Sequence, residues 1–185
     1  MFTVLFLCTG NICRSPLAQQ LLTARLTALT AEVATAEPLI AVQSAGLHTA
    51  TGVPMDAQAA SESSRHGGDP TGSASRVFTP RLARTADLVL TMTVAHQLDA
   101  VQRVPALLGR TYTLRQFERM LPALPSSGDT RLTDLVALAA KQRRTGHPES
   151  DSVPDPFRRS PEIHASVADL IDANVTPLAT WLLGR

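Results

Sequence analysis

The chain has 185 residues, 44% of them hydrophobic, which is enough to bury a proper core in one globular unit read over residues 1–185. Its 17 basic and 16 acidic side chains leave a net charge of +1, which excludes bulk attraction to nucleic acid or an anionic membrane, so any anion recognition must be local. Two cysteines, Cys8 and Cys13, make a poor disulfide framework and fit a reducing cytoplasm. The opening "MFTVLFLC" lacks a basic start and a cleavage-type segment, and no stretch reaches the roughly 18 apolar residues of a membrane span, so a soluble, unprocessed protein is expected.

In chain order, Phe2–Leu7 is a continuous apolar run rich in β-formers, as in a strand covered on both faces. From Pro16 the period changes: Leu17, Leu21, Leu22, Leu26 and Leu29 recur at helical spacing, with Ser15 suited to the N-cap and Pro16 to the first helical position. Leu39–Val42 and Asp87–Met92 read as further strands, and "TYTL" at Thr111 as a weaker fourth. Helices are expected over Asp56–Arg65, Pro80–Arg84, Thr93–Arg103, Leu114–Leu121, Thr130–Lys141 and Pro161–Leu183, the last packing with Trp181 on the sheet. Alternating strands and helices predict an α/β fold, a doubly wound parallel sheet with its ligand site beyond the carboxyl ends of the strands. "PALPSSGDT" and "TGHPESDSVPDP" frame the Thr130 helix as an insertion at 121–153, read as a surface excursion.

The loop between the first strand and helix, "CTGNICRSP", carries the chemistry. Such a loop gathers backbone N–H groups near a helix N-terminus, a cradle for a phosphoryl group. Gly10 and Asn11 tolerate the positive φ that a tight nest demands. Cys8 enters the nest where amide dipoles and Arg14 favour a thiolate, and Arg14, six positions on, has the planar fork to hold two phosphoryl oxygens. Ser15 can donate its hydroxyl to the sulfur. A small core cysteine with a chance arginine is the plain alternative. Expelling an alkoxide or phenolate also requires an acid, and composition leaves Asp129, Asp134, Glu149, Asp151 and Asp155 open. Asp155 is set apart by a proline on each side, "VPDPF", which restricts its backbone. The five histidines show no metal-ligand spacing.

"VLFLCTGNICRSPLAQ" resembles the phosphate loop of the low-molecular-weight protein tyrosine phosphatases, and the likeness continues in "SAGLHTATG", Ser75-Arg76, "ADLVLTM" and "DPF". The resemblance implies a four-stranded parallel sheet with flanking helices and no metal or cofactor. It implies catalysis by Cys8, Arg14 and Asp155 through a cysteinyl-phosphate, with Thr9, Gly10, Asn11, Ile12, Cys13 and Ser15 around the phosphate and Phe157 as an apolar wall. It also gives Cys13 two readings, packing behind the loop or a reversible disulfide with Cys8. Ile12 stands where phosphoarginine-directed relatives carry threonine, so a phosphotyrosine-containing protein is the implied partner. A kinase of exopolysaccharide export is the implied target, with no nucleic acid or membrane involved. Gln19, Ser73 and Ala50 depart from the glutamate, histidine and leucine that many relatives carry. Arg158 and Arg159 read as a solvated face or a basic rim. Two rivals stay open: an arsenate reductase using an external small thiol, and a phosphate-binding module without turnover.

Overall fold

A computed structural model of the chain describes residues 1–31, 40–126, 130–142 and 150–184. Strands β1 (Phe2–Cys8), β2 (Ile40–Gly46), β3 (Leu88–Thr91) and β4 (Thr111–Thr113) form one parallel sheet in the order β2-β1-β3-β4. All seven residues of β1 are buried, because each of its faces meets a layer of helices. Phe2, Val4 and Phe6 pack with helices α1 (Arg14–Ala31), α5 (Leu114–Met120), α6 (Leu132–Gln142) and α7 (Pro161–Leu182). Leu5 and Leu7 face the other way, toward Phe78, Ala83, Ala100 and Leu107 beneath α3 (Pro80–Thr85) and α4 (Val94–Arg103). Helix α2 (Ala57–Arg65) lies against α1 and α7. The chain steps from β1 to β2 on one side and then across to β3 on the other, so the switch point of the sheet lies at the end of β1, where Cys8 stands.

Three expectations change. Helix α1 begins at Arg14, not Pro16, since the Leu17 N–H already bonds the Cys13 carbonyl at 3.2 Å; Ser15 therefore lies inside the first turn and is not its cap. Strand β2 continues past Val42 to Gly46 because backbone pairing with β1 runs on to Cys8, although Gln43 and Ser44 break the apolar pattern; Leu39 lies outside the described residues. Helix α6 is not a surface excursion. Its Leu132, Leu135, Val136 and Ala139 are buried in the main core, and the Tyr112 hydroxyl donates to the Val136 carbonyl at 3.4 Å. Trp181 joins that core edge-on to Phe117, ring centroids 5.6 Å apart, and donates through Nε1 to the Pro125 carbonyl. No helix among the described residues is long and apolar enough to cross a membrane.

Candidate active site

The loop after β1 turns its carbonyls outward. Those of Cys8, Thr9 and Ile12 accept from the Leu47, His48 and Asp56 N–H groups, each at 2.9 Å. The amides of Gly10, Ile12 and Cys13 have no acceptor among the described residues, which leaves them for an anion inside the loop. Of the two residues expected to supply a positive φ, only Asn11 does, at 54°; Gly10 does not. Asn11 tolerates that conformation because its side chain is fixed on all sides: Oδ1 accepts from the Arg76 N–H at 2.8 Å, and Nδ2 donates to Ser15 and Ser44, both at 2.9 Å.

These bonds also fix proton directions. The Arg76 N–H can only donate, so Oδ1 of Asn11 is the acceptor and the amide nitrogen must donate to both serines. Ser44 passes its own proton to Gln19 Oε1 at 2.6 Å. Ser15 is left with Cys8 Sγ at 3.0 Å, nearer than the Ala45 carbonyl at 3.5 Å. Cys8 Sγ thus accepts from the Ser15 hydroxyl and from the Asn11 N–H at 3.3 Å.

Arg14 is 5% exposed and reaches out of the loop with two bonds. Nη1 donates to the Val153 carbonyl at 3.2 Å, and Nη2 pairs with Asp155 Oδ2 at 3.1 Å. The other Asp155 oxygen accepts from the Phe157 N–H at 3.2 Å. Cys8, Arg14 and Asp155, singled out in the opening loop and in the distant "VPDPF" stretch, are thus brought to one place. The rival carboxylates are elsewhere: Asp151 is fully buried and paired with Arg119, Asp134 is exposed on α6, and Asp129 and Glu149 lie outside the described residues. Phe157 is exposed beside Asp155, with the Arg158 guanidinium 5.0 Å from its ring centre. Cys13 is buried, and desolvation, helped by the Asp56 charge, pushes its thiol up to about 12.

Two residues escaped the sequence. A Cβ on Gly46 would lie 2.8 Å from the Thr9 carbonyl oxygen and 3.1 Å from the Gly10 carbonyl carbon, so only glycine lets β2 come this close to the loop. Its place in "SAG" was the available signal. His96, at the start of α4, bonds the Thr9 hydroxyl through Nε2 at 2.8 Å. Burial, then the positive charge of Arg14, depresses its pKa to about 4, so it is neutral at pH 7. Nothing in its spacing marked it. Among the described residues no group of three or more His, Cys, Asp or Glu is placed to hold a metal ion.

The family model described as "Low molecular weight phosphotyrosine protein phosphatase" matches residues 3–122. The chain belongs to this family. As a low-molecular-weight phosphatase it is 36% identical over 115 residues to Etp of Escherichia coli K12, named a low molecular weight protein-tyrosine-phosphatase, an alignment covering 62% of this chain and 70% of that one. The tyrosine phosphatase Wzb of Escherichia coli K30, solved in complex with sulphate, superposes with a TM-score of 0.69 at 27% identity over 97% of each chain. The arginine phosphatase YwlE of Geobacillus stearothermophilus does so with a TM-score of 0.69 at 26% identity, covering 97% of this chain and 91% of that one. Both solved relatives span almost the whole chain, including the part beyond residue 122 that holds Asp155.

Proposed function

We propose that this phosphatase hydrolyses phosphotyrosine in proteins through a cysteinyl-phosphate. The observation that carries this reading is the convergence of Cys8, with its two hydrogen-bond donors, Arg14 and Asp155 on one loop with unspent amides. Wzb of Escherichia coli K30 supports it, being a tyrosine phosphatase solved with sulphate, an oxyanion of phosphate shape. The phosphoryl group enters between loop and acid and takes over the Arg14 guanidinium, which releases Asp155. The Cys8 thiolate attacks phosphorus in line, an S–P bond forms as the P–O bond breaks, and protonated Asp155 gives its proton to the leaving oxygen. Arg14 and the unspent amides of the loop, among them those of Gly10, Ile12 and Cys13, hold the equatorial oxygens as charge shifts. Water then attacks phosphorus, Asp155 takes its proton, and the S–P bond breaks to return the thiolate to the Ser15 hydroxyl.

Ile12 and Phe157 line the cleft for an aromatic leaving group in this reading, and exposed Arg158 and Arg159 favour acidic, tyrosine-rich tails. On the family resemblance we take the target to be a bacterial tyrosine kinase of exopolysaccharide export, in a cytoplasm that keeps both thiols reduced. Cys13 acts as packing at rest, since a thiol titrating at about 12 is protonated at neutral pH. After peroxide converts Cys8 to a sulfenic acid, Cys13 can condense with it to a disulfide and water, which peptide mass spectrometry detects as a Cys8–Cys13 crosslink.

The likeness to an arginine phosphatase supports a second reading, phosphoarginine as substrate. One assay separates the two. Phosphotyrosine, phosphoarginine and phosphoserine peptides are offered side by side to the wild type and to Asp155→Asn. We expect phosphotyrosine to be preferred, and the variant to lose about 10²–10⁴-fold in kcat on it. Preference for phosphoarginine overturns the substrate assignment. Inert phosphopeptides together with arsenate-dependent oxidation of a small thiol overturn the reaction.

A further inference from the structure

Behind the phosphate loop lies a polar pocket of about 470 Å³, whose lining includes Gln19, Gln43, Ser44, Asp69, Ser73 and Arg76. It is not the catalytic cleft, because Ser44, Asn11 and Ser15 stand in sequence between Gln19 and the Cys8 sulfur. We propose that this pocket is a second ligand site, for a small organic monocarboxylate seated on Arg76 and the amide groups of Gln19 and Gln43.

The hydrogen bonds of the lining decide its chemistry. Arg76 reaches only neutral acceptors: the Ser44 carbonyl from Nε at 3.3 Å and Nη2 at 3.2 Å, and Gln43 Oε1 at 3.1 Å. Among the described residues no carboxylate pairs with it, and partial desolvation lowers its pKa from the ordinary arginine value. The Gln43 oxygen is committed to Arg76, which can only donate, and the Gln19 oxygen is committed to the Ser44 proton. Both amide NH₂ groups therefore lack an acceptor among the described residues, as does Nη1 of Arg76. A pocket that offers one cation and two amide donors, with their acceptor ends already used inside the protein, fits a ligand rich in acceptors and carrying negative charge. Asp69, also in the lining, limits that charge. Its carboxylate repels phosphate dianions and dicarboxylates more than a monocarboxylate.

The test is a titration of the full-length protein with acetate and with L-lactate, against sodium chloride at matched ionic strength, followed by nitrogen-resolved NMR of the Gln19 and Gln43 side-chain amides and Arg76 Nε. Saturable shifts of these three groups are expected, with a dissociation constant of ~10 mM or tighter. Gln43→Glu keeps an acceptor for Arg76 and supplies the missing negative charge within the protein, so it should weaken carboxylate binding at least about tenfold. Gln43→Met removes one donor without adding charge and should weaken it less, which separates charge from folding if the first variant is unstable. Shifts equal to those in chloride, shifts confined to the amides of residues 9–14, tighter binding of inorganic phosphate at these same groups, or wild-type affinity in Gln43→Glu each overturn the proposal.

Discussion

Between Cys8 and Ser15 the polar groups around the sulfur are joined to one another: Cys8, Asn11 and Ser15 bond within seven residues, and the loop carbonyls and the Asn11 side chain are braced from outside by Leu47, His48, Asp56, Ser44 and Arg76. Residues 150–159 are held from far away. Asp151 pairs with Arg119, the Ser152 carbonyl accepts from Arg115, the Val153 N–H bonds the Met92 carbonyl at 2.7 Å, and the Val153 carbonyl accepts from Arg14, 139 positions earlier. The Cys8 loop closes on its own side chains and is braced by the segments after β2, whereas Asp155 is placed by anchors at the end of β3, on α5 and on Arg14 alone. Damage to the first should abolish chemistry, and damage to the second should lower it while the nucleophile stays reactive.

The largest effect is expected from Cys8→Ser, which should leave the circular-dichroism spectrum intact and reduce p-nitrophenyl phosphate turnover by at least about 10⁴-fold. Appreciable residual turnover breaks the covalent mechanism. Gly46→Ala tests how far the loop is local. The added methyl must displace backbone at Thr9 and Gly10, so kcat/KM should fall roughly 10–100-fold and stability by about 1–3 kcal/mol, read by substrate kinetics and urea denaturation. An unchanged kcat/KM shows that β2 does not shape the loop.

Arg119→Met sharpens the other side of the comparison by taking the cation from the buried Asp151 carboxylate. Because Arg119 is itself half exposed, a modest cost of about 1–2 kcal/mol is expected. The kcat should fall by roughly tenfold on phosphotyrosine peptide, with the rate of Cys8 alkylation by iodoacetate unchanged. Equal loss in both measurements means that the anchor supports the whole site, not the acid alone.

The smallest effect concerns His96. Its folded pKa of about 4 lies below the ordinary 6.5, so between these values the unfolded chain binds a proton that the folded chain refuses. The stabilisation is complete above pH 6.5 and declines as pH falls through that window, by at most about 1.4 kcal/mol per pH unit. His96→Asn should flatten this part of the stability curve in urea titrations. An unaltered slope removes His96 from the acid sensitivity of the fold.

The amino-acid order alone determined the parts whose chemistry is written within one turn or one period. These are the apolar strand that must be central, the helix after it, and the sulfur and guanidinium spaced around a loop that only residues such as Asn11 can close. Asp155 between its prolines was legible as a constrained carboxyl group, but not as the one that meets Arg14. The tertiary structure decided that, together with the burial of α6, the contact of neutral His96 with Thr9, the space that Gly46 yields to the loop, and a donor-lined pocket behind it. The reason is physical: propensity and periodicity act over a few residues, while these contacts join positions dozens apart, whose meeting is set by sheet order and by which faces the helices cover.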